Sequence, residues 1–475
     1  MFKFLRRKQE RKVFVVGLDC GDPVLVFDRW RDELPNLRQL LEGGAFGPLS
    51  SSIPCITVPA WSSMTSGKDP GVLGFYGFRN RADYTYDNMT MATGASVKEP
   101  RVWDLIGRAG QQVVVVGVPQ TYPVKPVNGY LISSFLTPSV QRQYTYPNEF
   151  RYEIDHLLGG RVYDVDVPQF RTENKEHLIQ QIYDMTEKRF IVLKHLLKNK
   201  PWDFFMFVEM GVDRIQHGLW KYGDPAHRMY EPGNPYETSI KDYYKYIDQE
   251  LGEMLSALDD DTVIIVVSDH GAKKMDGGIC INEWLRRAGY LVLTEEPVRE
   301  GGKPVPFEKV EVDWEKTIAW GAGGYYARLF LNVQGREPYG IIPPSDYDKV
   351  RDELADGIAA IPDHQGTPIN TICYRPESIY KQVHNIPPDL IIYLGDLHWR
   401  AVGSFGFEGV HTFENDTGPD DANHAQDGLI IYYDPKDNLG GRQLGRLNLM
   451  DFAPTVLHLM GHPIPEDIQG RIIEP

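Results

Sequence analysis

Acids and imidazoles recur in this chain where apolar runs end, and these side chains are the oxygen and nitrogen donors that divalent metals take up. The run Thr262–Val267 leads directly into Ser268-Asp269-His270-Gly271, and Val13–Leu18 leads into Asp19-Cys20-Gly21. Asp203–Glu209 runs into Met210–Trp220, which carries Asp213 and His217. On a helix an i,i+4 pair shares one face and can grip one cation. His424, in Asn423-His424-Ala425-Gln426-Asp427-Gly428, precedes the apolar stretch Leu429–Tyr433, and His411 competes with it for the same part. Each residue also has an ordinary reading. Asp19 suits a turn beside Gly21 and Pro23, the Asp213/His217 pair suits a solvated helix face, and a lone histidine is more often structural than a ligand.

The hydroxyl best placed for nucleophilic chemistry is Thr57, in Ile53-Pro54-Cys55-Ile56-Thr57-Val58-Pro59-Ala60-Trp61. Pro59 suits the first turn of a helix. A hydroxyl there meets backbone N–H groups and the positive end of the dipole, a setting for an attacking alkoxide and a bound phosphate. The same position equally suits a simple helix cap. Ser62 and Ser63 are rival hydroxyls, but they fall inside the helix. Other signals are weaker. Ser66-Gly67-Lys68-Asp69 lacks the first glycine of a P-loop, and no Ser or Thr follows Lys68. Gly321–Gly324 lacks the strand–helix context of a dinucleotide fingerprint. Phe75, Tyr76, Phe78 and Tyr84 read as loop packing, while Lys68, Arg79 and Arg214 could hold phosphate oxygens or be solvated.

Positioning such groups requires strands whose ends converge. Val13–Leu18, Val113–Val116, Asp203–Glu209, Thr262–Val267 and Leu429–Tyr433 read as buried strands. Leu34–Leu41, Trp103–Ala109, Thr172–Lys198, Met210–Trp220, Ile240–Leu258, Asn282–Tyr290 and Met450–Met460 read as helices, and Gly71–Gly94 as a loop over the site. Strands alternating with helices predict an α/β fold, a mostly parallel central sheet with helices on both faces. At 475 residues there is room for a core, 13–284 and 397–475, interrupted by an α+β subdomain over 285–396, a possible lid.

Hydrophobic residues make up 42% and aromatics 12%, which excludes global disorder. The net charge of −16 argues against nucleic-acid backbone as a partner. Cys20, Cys55, Cys280 and Cys373 include no CxxC pair, so buried thiols in a reducing compartment are expected. No apolar run approaches a transmembrane length. The N-terminal segment 1–12 is basic but leads into a strand rather than an apolar signal region. A cytoplasmic protein is the expectation.

Taken in order, Asp19, Thr57, Asp213, His217, Asp269, His270 and His424 resemble the site pattern of the alkaline phosphatase superfamily, and within it the type I phosphodiesterase/nucleotide pyrophosphatase group. The likeness runs from Val13 to Arg471. The stretches Asp451-Phe452-Ala453-Pro454-Thr455-Val456-Leu457 and Pro465-Glu466-Asp467 with Gly470-Arg471 look like that superfamily's closing segment. Asn282-Glu283-Trp284-Leu285, Gly289-Tyr290-Leu291 and Gly335-Arg336-Glu337-Pro338 are similar to its branch of predicted prokaryotic phosphohydrolases and phosphomutases.

The resemblance implies an alkaline-phosphatase-like fold and two divalent ions. Asp19, Asp269 and His270, with Thr57 as a further ligand, would hold one; Asp213, His217 and His424 would hold the other. Zinc suits the donor set, with manganese and magnesium as alternatives. Thr57 would then be the nucleophile, passing through a phospho-threonine intermediate. Two dications against three aspartates leave a positive pocket in an acidic protein, suited to a small phosphorylated substrate. One departure stands out. Nucleotide pyrophosphatases carry an Asn in a glycine loop after the nucleophile, and aligning Gly74-Phe75-Tyr76-Gly77 with that loop puts Phe78 there, with Arg79 and Asn80 as substitute substrate contacts. The function expected is a two-metal phosphoric-ester hydrolase of the phosphodiesterase/nucleotide pyrophosphatase kind. A phosphomonoesterase or phosphomutase is the alternative, and a non-catalytic metal-binding relative a third reading.

Overall fold

The computed structural model describes residues 11–475. The basic N-terminal segment therefore lies, except for Arg11 and Lys12, outside the described residues. Eight elements carry the candidate site: β1 (Lys12–Leu18), α1 (Thr57–Ser66), β2 (Phe204–Glu209), α2 (Gly211–Gly223), β3 (Thr262–Val267), β4 (Gly271–Lys274), β5 (Ala422–Ala425) and β6 (Asp427–Tyr433).

Strands without polar alternation need cover on both faces, and the centre of the molecule supplies it. A mixed, mostly parallel sheet of ten strands runs in the order Arg442–Gln443, Ala45–Ser50, β6, β3, β1, β2, Val113–Val116, Gly129–Ile132, Thr145–Tyr146, with Leu447–Asn448 also on Ala45–Ser50. Alternate side chains feed two apolar layers. Phe14, Val16, Phe205, Phe207 and Val266 pack with residues of α2 and of the helices Pro35–Gly43, Lys175–Asn199 and Ser239–Leu255. Val13, Val15, Met206, Val208 and Val267 pack with Ala60, Trp61 and Met64 of α1 and with the helices Val102–Arg108 and Phe452–Leu459. The α/β expectation holds.

Register brings the chemistry together. Gly17 of β1 pairs in parallel with Val208 of β2 and Val267 of β3. Two residues further on, Asp19 and Asp269 emerge from neighbouring strands, which lie about 4.8 Å apart. β6 runs the other way, with Ile430 opposite Val267, so its start lies at the same edge. β5, just before it, pairs with β4 and sets His424 opposite Ala272.

Three differences from the expected elements have local causes. The strand Ala45–Ser50 contains Gly47 and Pro48, which disguise it, yet it pairs along β6. The stretch Gly71–Gly94 is more ordered than a loop: it includes most of a short helix, Pro70–Leu73, and a hairpin of Arg79–Arg81 with Met89–Met91. The C-terminal helix starts as one 3-10 turn, Leu449–Asp451.

Beyond β4 lie a three-stranded sheet (Gly277–Cys280, Trp399–Val402, His411–Thr412) and a four-stranded antiparallel one (Ala319–Ala322, Ala327–Leu331, Ile372–Tyr374, Leu390–Tyr393). They share one apolar cluster, which includes Ile279, Leu285, Trp320, Leu329 and Ala401. Arg81 ties the hairpin to this region, donating to Glu337 across 3.0 Å with both side chains almost fully buried. Removing one partner strands a buried charge, so Glu337→Ala is expected to cost about 3–5 kcal/mol in chemical denaturation. A loss below about 1 kcal/mol would show the pair to be dispensable. No helix among the described residues is long and apolar enough to cross a membrane.

Candidate metal centre and nucleophile

Thr57 opens α1, and the residue capping that helix is Ile56, in extended conformation and without a side-chain cap. The Thr57 hydroxyl is therefore not the helix cap. It is buried, with Oγ1 3.5 Å from Nε2 of His270. Ser62 and Ser63 lie deeper in α1 and are fully buried.

Around Thr57 the seven candidate residues converge. Asp19 accepts a hydrogen bond from Trp61 Nε1 at 2.7 Å through Oδ2, while its Oδ1 has no partner. Asp269 accepts from the Cys20 N–H at 3.2 Å through Oδ1, while its Oδ2 has none and stands 3.2 Å from His270 Nε2. Asp213 takes Arg214 Nη1 at 2.6 Å and lies 3.2 Å from His217 Nε2. The start of α2 is pinned by Glu209, whose Oε1 accepts from Gly211 N–H at 2.8 Å. A β-carbon at Gly211 would fall 1.9 Å from the Tyr243 hydroxyl, so that residue must be glycine.

The three imidazoles follow one rule. Nδ1 of His270 meets the carbonyl of Gly271 at 3.1 Å, Nδ1 of His424 meets that of Cys55 at 2.8 Å, and Nδ1 of His217 meets Oδ1 of Asp420 at 2.8 Å. Carbonyl and carboxylate oxygens only accept, so each Nδ1 carries the proton and each Nε2 is left to face the centre. Nε2 of His217 and Nε2 of His424 approach to 3.2 Å. The rings of His270 and His424 stack at 3.7 Å. Two facing lone pairs repel unless a cation or proton stands between them.

The electrostatics agree. Burial, then Asp269 and Asp213, push the Asp19 carboxyl well above the usual range. Burial likewise raises Asp269 against the opposing Cys20 N–H. Burial would also raise Asp213, but His217 and Arg214 overcome it and hold it low. Burial opposes a charge on His217, yet Asp420 and Asp213 raise it to about 9. Burial lowers His270 to about 4, and burial with His270 and His217 lowers His424 far. Against three buried carboxylates the nearby cation is Arg214, itself divided between Asp213 and Asp166. The donors fit divalent cations. Asp19, Asp269 and His270 form one compact group, Asp213, His270 and His424 a second, and Cys20, Asp213 and His217 a third, with ligand atoms within 4.8 Å of one another in each. His270 thus bridges the two sets that the sequence keeps apart.

His411 lies elsewhere, with Nε2 2.7 Å from the Pro362 carbonyl and its ring against Trp399. Of the expected substrate contacts, Phe78 packs on Phe135, and the Arg79 carbonyl accepts from Arg328. Asn80 spends its side chain on its own loop, accepting from Tyr76 N–H at 2.7 Å and donating to the Gly77 carbonyl at 2.9 Å.

Three residues at the site escaped sequence reasoning. Asp420 accepts from Tyr325 at 2.7 Å and from Arg171 Nε at 3.0 Å besides engaging His217. Tyr325, just after the Gly321–Gly324 turn, stacks on His217 with ring centroids 4.8 Å apart, and its hydroxyl also accepts from Arg171 at 2.7 Å. The available signals were the acid pair Asp420-Asp421 just ahead of His424 and the aromatic pair that follows the glycine turn. A carboxylate behind a ligand histidine fixes its tautomer and raises its basicity. Asp420→Asn is expected to weaken metal binding by about 10–100-fold, read by competition with a chromogenic chelator; unchanged affinity would free His217 of any dependence on Asp420.

Such a set of donors, at the strand-end edge of a mostly parallel sheet, could hold divalent metal ions. The chain matches the family model described as type I phosphodiesterase / nucleotide pyrophosphatase over residues 13–420 and belongs to that family, a group of two-metal phosphoryl hydrolases in the alkaline phosphatase superfamily. The match stops just short of His424. No curated protein sequence matches the chain. Among solved structures it is similar to human ectonucleotide pyrophosphatase / phosphodiesterase 5 (TM-score 0.54, 13% identity, 96% of this chain and 97% of that one). An inactive threonine-to-alanine variant of the murine protein, in complex with AMP, gives TM-score 0.54, 12% identity and coverage of 96% and 97%. Phosphonoacetate hydrolase from Sinorhizobium meliloti, in complex with phosphonoformate, gives TM-score 0.56, 15% identity and coverage of 95% and 96%. At these identities the likeness is one of fold.

Proposed function

We propose that this protein hydrolyses phosphoric esters of small molecules through a phospho-Thr57 intermediate, with diesters or pyrophosphates as substrates. The observation that carries the reading is the Thr57 hydroxyl, at the first turn of α1 and 3.5 Å from His270 Nε2, beside the unpartnered oxygens of Asp19 and Asp269. Asp19, Asp269 and His270 with Thr57 would hold one ion, and Asp213, His217 and His424 the other. When bound, such ions activate the hydroxyl and neutralise phosphoryl and leaving-group charge. The chain supplies the rest. Thr57 gives up its proton to solvent and forms the Oγ1–P bond as the P–O bond to the leaving group breaks, the leaving oxygen taking up a proton from water. A second water then attacks phosphorus, Oγ1–P breaks, Oγ1 regains a proton, and phosphate or its monoester departs. The first N–H groups of α1 have no partner within the helix and would be free to hold a phosphoryl oxygen. Trp61 fixes Asp19, and the Nδ1 acceptors fix the three imidazoles.

Imidazole-rich donors favour zinc, with manganese or magnesium as alternatives. Four free cysteines, three of them buried, support a reducing compartment such as the cytoplasm. The segment 285–396 is read as an insert able to close over substrate.

Monoesters, or a phosphomutase reaction, form the second reading, favoured by the loop after α1: Phe78 packs on Phe135, and the Asn80 side chain bonds Tyr76 and Gly77 of its own turn, so neither takes the place of the phosphoryl-binding amide. Turnover of aryl phosphate monoesters against diesters and dinucleotides, with each metal in turn, decides between them. A monoester preference of tenfold or more would displace the diester reading.

A further inference from the structure

Cys20 follows Asp19 directly, and its side chain belongs to the apolar layer of Leu18 and Leu25 while its sulfur also lies among metal donors. We infer that Cys20 is an additional ligand on the Asp213–His217 side of the centre and biases it toward thiophilic ions. The inference rests on the metal-centre reading above. The Cys20 sulfur, an Asp213 carboxylate oxygen and a His217 ring nitrogen lie within 4.8 Å of one another, all buried. Around one tetrahedral zinc, bonds of about 2.3 Å to sulfur and about 2.0–2.1 Å to nitrogen put those donors roughly 3.5 Å apart. Shifts on the order of 1 Å would close the set.

The backbone holds the thiol there from both sides. The Cys20 N–H donates to Asp269, and the Cys20 carbonyl accepts from Gln216, the residue before His217, at 2.7 Å. Its φ of +63° is a conformation that glycine adopts at least cost, yet a thiol occupies it. The present partner of the sulfur is the Gly271 carbonyl at 3.4 Å, a weak contact for an S–H group. Independently of the thiol, Oδ1 of Asp19 and Oδ2 of Asp269 are buried without partners in the adjoining donor group, which is joined to this one through Asp213 and His270.

The chemistry closes as well. On coordination the thiol releases its proton to solvent. Sulfur selects zinc or cobalt over manganese or magnesium, which oxygen and nitrogen donors alone do less sharply.

Cobalt reports this directly. Oxygen and nitrogen donors give Co2+ weak visible bands, whereas a thiolate adds an intense near-ultraviolet charge-transfer band. Metal-stripped full-length protein titrated with Co2+ should show both. The near-ultraviolet band should vanish in Cys20→Ala and Cys20→Ser and persist in Cys55→Ala, the other thiol beside the site. Zinc affinity relative to manganese should fall roughly tenfold in the Cys20 variants. Visible bands without the near-ultraviolet band, or a band that survives Cys20→Ala, would remove Cys20 from the ligand set and leave the metal centre standing. Absence of any cobalt band would overturn the metal centre and this inference together.

Discussion

Thr57→Ala is expected to lower turnover of an aryl phosphate ester by about 10⁴-fold or more, because it removes the atom that forms the bond to phosphorus. The fold should not suffer. Thr57 sits in the first turn of α1 without capping it, and alanine is a better helix former than threonine. Asp19, Asp213, Asp269 and the three histidines keep their own hydrogen bonds, so metal content should stay close to that of the native protein. Thr57→Ser should retain a measurable fraction of activity, since the hydroxyl remains. Quenching native enzyme during turnover and mapping peptides by mass should find one phosphoryl group on the peptide containing Thr57. Substantial hydrolysis by the alanine variant, or a phosphoryl group on Ser62 or Ser63, would end the assignment.

What the sequence makes legible here is the local part of the site. Asp19 and Asp269 announce themselves because an apolar run ends and an acid follows. The parallel register, Gly17 with Val267, then turns two separate motifs into one. Asp213 and His217 are legible through helical spacing. The choice between His411 and His424 is not, since both precede or join short strands. Pairing decides where each lies: the strand of His411 docks on Gly277–Cys280, and that of His424 docks on β4 beside Asp269 and His270. Asp420, Arg171 and Tyr325 stand 95 to 249 residues apart in sequence and meet only in the folded chain, so no spacing rule reaches them. The bridging place of His270 is a matter of side-chain direction, which a one-dimensional pattern does not contain. Cys20 is a similar case: its composition reads as a buried thiol, and only its company reads as chemistry.

Removing the metals should destabilise the protein more as pH rises, and the sign follows from the site's own groups. In the metal-free chain the Asp19 and Asp269 carboxyls are raised by burial, and His217 is raised to about 9 by Asp420 and Asp213 despite its burial. Each binds its proton more tightly folded than unfolded. Its contribution is therefore complete below the unfolded pKa, about 3.9 for aspartate and about 6.5 for histidine, and is lost as pH rises through the folded value. Burial shifts His270 and His424 the other way, adding stability as pH rises toward about 6.5 and nothing further above it. Between about pH 6.5 and 9 the falling contributions stand alone among these groups, and His217 by itself is worth on the order of 3 kcal/mol. Bound dications would take the place of those protons, so the metal-loaded protein should hold its stability over the same interval. Thermal unfolding with and without chelator, stepped across that interval, should show a gap in Tm that widens with pH. A gap that stays constant or narrows would mean that Asp19, Asp269 and His217 do not together hold the charge that the metals replace.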